Sequence, residues 1–321
     1  MIVSTLGSMQ EVTSTVIGTG SHSYDVVDQW GHLPSGLSFG TTHGVTEDAS
    51  GRILIHHTGR QSVMFFDTEG NYLSSWGDEY QGGAHGMLLN REKDGEYLYL
   101  STTTLGFVAK TTLDGREVFR IGTPPRPDIY DSEHPFVPTE TAVAPDGTIY
   151  VADGYGQPWV HVYSRDARYL SSFGGKGSGR GQLDNPHGIK IDTRDRDPLV
   201  LVSDRGNSRL QYFTLDGKHV RFSEGNLRKP CTTWQWRDEI YIPDLFSRLT
   251  ILDGKDRLIT HLGDRPGCWE KKGWPNLPKS DWVVGAFSSP HDLHVDARGT
   301  IYVVEWLSEG TGKVTRLVRR A

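Results

Sequence analysis

The chain alternates short apolar runs with polar turns along most of its length. Between residues 138 and 218, two consecutive segments share one pattern: a proline, a polar residue, and an apolar run that ends in aspartate. These runs read IYVAD and VLVSD, and each is followed by a further strand-like run, WVHVYS or RLQYFT. A two-residue period broken by Gly and Asp turns predicts antiparallel strands. One small sheet cannot bury its own faces, so the repeat predicts similar sheets packed beside it.

The unit recurs six times, beginning near residues 42, 84, 138, 186, 230 and 290. Two long loops, at 123–136 and 264–282, explain the wider spacings. We therefore predict one all-β domain over residues 1–321, a six-bladed β-propeller. Residues 1–39 precede the first full unit, and we expect them to lead in and to add an outer strand to the last sheet. Such a strand closes the ring and removes free sheet edges.

Composition and charge exclude several classes of protein. The 321 residues are 36% hydrophobic, which suffices for a large single core. A net charge of −6 argues against a nucleic-acid surface. The chain has no apolar run of about 18 residues and no recognisable signal peptide, so we expect no membrane contact. Two cysteines, Cys231 and Cys268, suit free thiols in a reducing compartment, and we expect a cytoplasmic protein.

The candidate chemistry lies at one position of the repeat. In a propeller, the innermost strand of each blade lines the central channel, so the starts of these strands converge at its mouth. The six equivalent positions hold His43, His85, Thr139, His187, Cys231 and His291. A lone histidine there is more often a structural hydrogen-bonding group. Four in one register instead predict a metal site, for zinc or iron, because neutral imidazole is a common ligand of both.

Other side chains near the channel mouth have both functional and structural interpretations. Asp292 and Glu140 follow the ring position, where a carboxylate either holds calcium, orients a ligand, or bonds a neighbouring blade. Tyr155 and Arg205 follow the aspartate-ending strands of the third and fourth units. Tyrosine can accept a proton when cations lower its pKa, and arginine can hold a carboxylate through two hydrogen bonds. Taken singly, both are ordinary loop residues.

Three stretches carry a family resemblance that covers about residues 40–321. They read PTETAVAPDGTIYVADGY, PHGI followed by VSDRGNSRLQYF, and PHDLHVDARGTIYVVEW. The sequence resembles NHL-repeat propellers and, among them, the peptidyl-α-hydroxyglycine α-amidating lyases. The DxxNxR segment alone is a generic propeller signal. The combination of Asp-Gly-Tyr, Asp-Arg and Pro-His-Asp in the matching blades is more specific.

The resemblance implies a catalytic zinc held by three histidines, which map onto His85, His187 and His291. It also implies a catalytic tyrosine at Tyr155 and an active-site arginine at Arg205. The implied reaction cleaves the C–N bond of a carbinolamide and gives an amide and glyoxylate. In it the metal acts as a Lewis acid and the tyrosine moves a proton.

The resemblance further implies a structural calcium, bound by Asp292 and by the backbone carbonyls of Val45 and Met87. The sequence departs from the family at a second active-site arginine, which aligns with Thr58, although Arg60 stands two residues on. Whether Arg60 takes over that role is open at this point, and we retain it as a candidate catalytic residue.

Further departures concern the ring itself and its surroundings. His43 stands where the family has a small residue, so a fourth imidazole is a candidate ligand for the metal or the substrate. The family's disulfide cysteines are missing around Tyr155 and Arg205. We expect a metal-dependent lyase acting on a small molecule with a carboxylate or hydroxyl, as a monomer or small homo-oligomer. The alternatives are a non-catalytic NHL propeller that binds a peptide or protein, and a lactonase-like metal-dependent hydrolase.

Overall fold

Short strands make up nearly all of the regular structure, as the alternating pattern predicts. The computed structural model describes residues 15–307 and 312–320, and these contain 25 strands and three single-turn 3₁₀ helices. The first two strands are β1 (Val16–Thr19) and β2 (His22–Val27). The 3₁₀ helices are Asp78–Tyr80, Cys268–Glu270 and Lys279–Asp281.

The following strands form six antiparallel sheets, one for each predicted blade. Blade 1 contains β3 (Thr42–Glu47), β4 (Ile53–His57), β5 (Val63–Phe66) and β6 (Tyr72–Trp76). Blade 2 contains β7 (Ala84–Glu92), β8 (Gly95–Thr102), β9 (Phe107–Thr112) and β10 (Glu117–Ile121). Blade 3 contains β11 (Glu140–Val143), β12 (Ile149–Ala152), β13 (Trp159–Tyr163) and β14 (Tyr169–Gly174).

The second half of the ring repeats this order. Blade 4 contains β15 (Pro186–Asp192), β16 (Leu199–Asp204), β17 (Arg209–Phe213) and β18 (His219–Ser223). Blade 5 contains β19 (Trp234–Trp236), β20 (Glu239–Asp244), β21 (Arg248–Leu252) and β22 (Leu258–Leu262). Blade 6 contains β23 (Pro290–Val295), β24 (Ile301–Glu305) and β25 (Lys313–Arg319).

The N-terminal strands complete blade 6. The order of its sheet is β1-β2-β25-β24-β23, and Asp25 pairs with Val318 across the join of the two ends of the chain. The predicted closure of the ring by an N-terminal strand is therefore confirmed. This arrangement covers the edge of β25, which otherwise exposes unpaired backbone groups.

The core consists of apolar clusters between neighbouring blades. Val45 and Phe66 of blade 1, for example, pack with Tyr302 and Val304 of blade 6. Equivalent clusters join all five remaining pairs of neighbouring blades around the ring. In blade 1 the middle strands β4 and β5 are buried along their whole length, whereas the outer strand β6 has exposed positions. The ring is thus closed by packing, and the six-bladed β-propeller is confirmed.

The long loops lie between the second and third and between the fifth and sixth blades. The later loop contains two of the 3₁₀ helices. Among the residues that the structure describes, no helix combines the length and apolar character that a bilayer span needs.

Candidate metal centre

Four histidines occupy β-bulges at the starts of innermost strands. The regular pairing skips from Thr42 to Gly44, from Ala84 to Met87, from Pro186 to Gly188 and from Pro290 to Asp292. The skipped residues include His43, His85, His187 and His291. A bulge adds a residue to one strand and re-aims its side chain. The bulges explain how histidines of separate blades turn towards one another.

Three of these histidines are oriented in the same way. Each imidazole has Nδ1 within hydrogen-bond distance of the backbone carbonyl of the ring-position residue in the next blade. The pairs are His85 with Thr139 at 2.8 Å, His187 with Cys231 at 2.8 Å, and His291 with His43 at 3.0 Å. A carbonyl accepts only from a protonated nitrogen, so the neutral rings carry the proton on Nδ1. Their Nε2 lone pairs are left for another partner.

The rings of these three histidines come together in the channel. The Nε2 atoms of His187 and His291 are 3.2 Å apart, and the ring of His85 lies 4.8 Å from both of the other rings. Two facing acceptors repel unless a proton or cation lies between them. Metal-binding histidines commonly donate a hydrogen bond from the N–H of their second ring nitrogen to a carbonyl in this way. The donor set therefore fits a zinc or iron ion, and the cluster can hold a metal.

Burial keeps these rings neutral. It lowers the pKa of His85 to about 3, while the hydrogen bond to Thr139 opposes the change. Burial and the nearby Arg205 charge also lower the pKa of His187 well below its usual value. For His291, burial and the neighbouring histidines have the same effect. Neutral imidazole is the form that binds metals, so no proton has to leave before an ion enters at neutral pH.

Two further donors flank the three histidines. The ligand atoms of His43, His85 and His291 lie within 4.8 Å of one another, and so do those of His187, Cys231 and His291. His43 is buried, and its Nδ1 has no hydrogen-bond partner within the described ranges. The structure therefore brings together the predicted ligands His43, His85, His187 and His291. It adds the Cys231 thiol, whose pKa burial raises to about 11.

Tyr155 reaches into the ring from blade 3. Its hydroxyl is 3.2 Å from Nε2 of His85 and 3.1 Å from Nε2 of His187. The side chain is 41% exposed, so the ring borders the channel mouth while the hydroxyl meets two buried imidazoles. Burial raises the pKa of Tyr155, and the positive charge of Arg205 opposes that rise. The phenol is placed to exchange a proton with a molecule bound at the ring.

Arg205 lies beside the tyrosine without a carboxylate partner among its described polar contacts. Its Nε donates to Oδ1 of Asn185 at 2.7 Å, and Nη1 lies 3.8 Å from Sγ of Cys231. The guanidinium carbon is 5.3 Å from the ring centre of Tyr155. A partly buried guanidinium favours a carboxylate ligand, because the two groups can form parallel hydrogen bonds.

Arg60 is placed differently. Its Nε donates to Asp78 at 2.9 Å, and its side chain is 77% exposed. Thr58, rather than Arg60, lines the cavity over the ring, together with His43, His85 and Arg205. The structure therefore does not bring Arg60 to the cavity, and its catalytic role stays a prediction from sequence.

Asp292 and Glu140 form a second polar group in the channel. The two carboxylate oxygens of Asp292 accept hydrogen bonds from the backbone N–H groups of Val45, at 3.0 Å, and Leu293, at 2.9 Å. Nζ of Lys190 lies 3.8 Å from the carboxylate of Glu140. Burial raises the pKa of both carboxyl groups, and the Lys190 charge opposes the rise. Carboxylates suit calcium, but Lys190 already supplies positive charge here.

Several residues of the site are missed by reading the sequence. Asn185 positions Arg205, Trp306 lines the cavity, and Lys190 faces the channel carboxylates. Asn185 directly precedes the Pro-His pair of blade 4, and Trp306 directly follows strand β24. Both positions flank conspicuous motifs, which is the only signal the sequence carries. The backbone carbonyls that orient the histidines have no signal in the sequence, since every residue has a backbone carbonyl.

Comparison with known proteins places the chain among propellers. No protein-family model matches it. Human NHL repeat-containing protein 3 is 28% identical over 192 residues, which cover 55% of this chain and 53% of the human protein. Rat peptidylglycine alpha-amidating monooxygenase is 30% identical over 185 residues, 54% of this chain and 17% of the rat protein. The chain thus matches about half of the first relative and under a fifth of the second.

The fold has solved counterparts. A streptogramin B lyase structure superposes with a TM-score of 0.62 at 10% identity, covering 92% of this chain and 98% of the lyase. Identity this low supports the fold alone. The relatives include NHL-repeat proteins, and the fold is a six-bladed β-propeller. Enzymes are among the propellers similar to it.

Proposed function

We propose that the protein is a metal-dependent lyase that cleaves the C–N bond of a small N-acyl-α-hydroxyglycine. The observation that carries this proposal is the position of Tyr155, whose hydroxyl lies within 3.2 Å of two histidines of the ring. A proton-transfer group, a candidate metal centre and the Arg205 cation, which has no carboxylate partner among the described residues, border one cavity. The partial similarity to a peptidylglycine alpha-amidating monooxygenase supports a reaction that forms an amide.

The metal in this proposal is zinc or iron held by His85, His187 and His291. The ligand atom of His43 lies within 4.8 Å of those of His85 and His291, and that of Cys231 lies within 4.8 Å of those of His187 and His291, so both are candidate further donors. Bound there, the metal supplies a Lewis acid for the oxygen atoms of the substrate. A lactonase-like hydrolase typically uses carboxylate and amide ligands, so a ring of imidazoles favours the lyase.

The reaction requires one proton to move and one bond to break. The substrate hydroxyl loses its proton, its C–O bond becomes the C=O of glyoxylate, and the electron pair of the C–N bond passes to nitrogen. Nitrogen then takes up a proton and leaves as the amide. Tyr155 is placed to carry the proton, and Arg205 binds the carboxylate and so orients the carbon that reacts.

Glyoxylate release from N-acetyl-α-hydroxyglycine tests the proposal. The protein reconstituted with zinc or iron is expected to give glyoxylate and acetamide in equal amounts. Tyr155→Phe is expected to keep the metal and to lose about 10²- to 10⁴-fold in turnover, the usual contribution of a proton-transfer group. Stoichiometric metal without glyoxylate contradicts the lyase. Equal turnover of Tyr155→Phe and the unaltered protein removes the tyrosine from the mechanism.

A further inference from the structure

Four aromatic side chains form a continuous row next to the cavity. Trp306 and Trp274 meet edge to face with ring centres 6.1 Å apart, and Trp274 meets Phe246 at 5.6 Å. Phe246 then stacks on Trp269 at 5.3 Å with the planes 7° apart. All four side chains are partly exposed. We call Trp306, Trp274, Phe246 and Trp269 the aromatic strip.

The strip is fixed by polar contacts to the backbone. The indole N–H of Trp274 donates to the carbonyl of Ser288 at 2.9 Å. The backbone N–H of Trp306 donates to Ser289 at 2.8 Å. At the far end, the Arg228 guanidinium lies 5.1 Å from the ring centre of Trp269. The rings are therefore held in place before any ligand arrives, which lowers the entropic cost of binding.

The strip begins inside the candidate active site. Trp306 lines the same cavity, of about 700 Å³, as His43, His85, Tyr155 and Arg205. The lining of this cavity thus includes a cation and imidazoles together with an indole that continues into further aromatic rings. A molecule that fills the cavity therefore meets a polar region and an apolar region in a fixed arrangement.

We propose that the aromatic strip is a substrate subsite that takes an aromatic or apolar acyl group. This inference rests on the proposed function, in which Arg205 binds the carboxylate and the histidine ring faces the hydroxylated carbon. The acyl group is attached through nitrogen on the other side of that carbon. With the carboxylate at Arg205, the acyl group extends away from the cation, and Trp306 offers it an apolar surface.

Aromatic rings at binding sites add to affinity through burial and through ring stacking. Removing apolar surface from water and bringing aromatic rings into stacked or edge-to-face contact both favour binding. A benzoyl group in contact with Trp306 and Trp274 therefore binds more tightly than an acetyl group, which is too small to reach the second ring. The subsite thus selects N-aroyl or long-chain N-acyl substrates over N-acetyl ones.

The test compares two substrates that differ only in the acyl group, N-benzoyl- and N-acetyl-α-hydroxyglycine. The unaltered protein is expected to show at least a tenfold higher kcat/KM for the benzoyl compound. Trp306→Ala and Trp274→Ala are expected to reduce that ratio to about threefold or less while retaining metal. Trp282→Ala is the matched control, because Trp282 lies in the same loop but beside Lys279 and Lys313. It is expected to keep the ratio of the unaltered protein.

A binding experiment separates the subsite from the reaction. N-benzoylglycine and N-acetylglycine lack the hydroxyl and cannot be cleaved by this chemistry, so calorimetry measures their binding alone. One outcome is that N-benzoylglycine binds more tightly than N-acetylglycine, that Trp306→Ala abolishes this difference, and that neither substrate gives glyoxylate. This outcome supports the subsite and contradicts the lyase. Glyoxylate from both substrates with equal kcat/KM, and equal binding of the two glycine derivatives, overturns the subsite and leaves the lyase standing.

Discussion

The Nε2 atoms of His187 and His291 lie 3.2 Å apart although 104 positions separate these residues in the chain. Each ring has its Nδ1 at a backbone carbonyl, so two lone pairs face each other inside a buried channel. An arrangement of this kind is costly unless a cation or proton lies between the nitrogens. The same two atoms thus carry the strongest argument for a metal.

Removal of one ring histidine is expected to empty the centre. His187→Ala deletes one of three converging donors, so near-stoichiometric zinc or iron in the purified protein is expected to fall to a small fraction. Mass spectrometry of metals after dialysis measures this loss. His134→Ala is the control, because His134 is exposed and pairs with Asp131 on the surface. Equal metal content in His187→Ala and the unaltered protein contradicts the assignment.

Gly188 has a positioning role that follows from close packing. A Cβ at this position would overlap the carbonyl oxygen of Cys231, which is the acceptor that orients His187. Gly188→Ala is therefore expected to displace that carbonyl and to weaken metal affinity about 10- to 100-fold, as loss of an orienting contact usually does. Competition with a chromophoric chelator measures the affinity.

Gly122→Ala provides the comparison for Gly188→Ala. Gly122 is exposed, and a Cβ there meets no atom within 4 Å. The Gly122 variant is expected to bind metal as the unaltered protein does. Unchanged affinity in the Gly188 variant would show that the carbonyl can move without disturbing the ring of His187.

Lys190 is expected to compete with calcium for the channel carboxylates. Its ammonium lies 3.8 Å from Glu140, and its charge also acts on Asp292. Lys190→Gln leaves two buried carboxyl groups without that cation, so calcium is expected to bind at least about tenfold more tightly, or about 1.4 kcal/mol. Two unit charges at this separation interact by about 4 kcal/mol at an effective dielectric constant of about 20, which is large enough to account for a tenfold change in calcium affinity.

Calcium titration followed by thermal unfolding measures the effect of Lys190→Gln. Calcium is expected to raise the Tm of this variant more than that of the unaltered protein. Lys218→Gln is the control, since Lys218 is exposed and pairs with Asp216 at the surface. A calcium response identical in all three proteins rules out Lys190 as the competing cation.

His57 is expected to make stability depend on pH. Its Nδ1 accepts N–H groups of Gly40 and Gly59, both at 3.0 Å, and burial lowers its pKa to about 4. An unfolded histidine titrates near 6.5, so between about pH 6.5 and pH 4 the unfolded state binds the extra proton. The contribution of His57 to the free energy of unfolding is therefore fully present above pH 6.5. It decreases as the pH drops, by at most about 1.4 kcal/mol per pH unit.

Urea unfolding in EDTA at several pH values isolates this contribution. His57→Asn keeps an acceptor on the side chain but cannot take up a proton in this range. The variant is expected to lose less stability than the unaltered protein when the pH falls from 7 to about 5. Parallel pH profiles of the two proteins would assign the acid sensitivity to other buried groups.

Much of the architecture is determined by the sequence alone. The two-residue period and the Gly and Asp turns fix short strands, and the recurrence of Pro-His or its equivalents fixes six units. The ring positions follow from that register, so His85, His187 and His291 are predictable as neighbours. Local patterns suffice here because strand faces alternate and each unit needs a partner to bury its apolar side.

Only the tertiary structure decides how these side chains are aimed. The bulges at His43, His85, His187 and His291 appear only in the pairing of whole strands. The carbonyls that set the tautomers come from neighbouring blades, and a carbonyl has no sequence signature. Likewise, Arg60 stands near Thr58 in sequence, yet it turns to Asp78 at the surface. Distances across the channel depend on ring closure, which is a property of all six blades together.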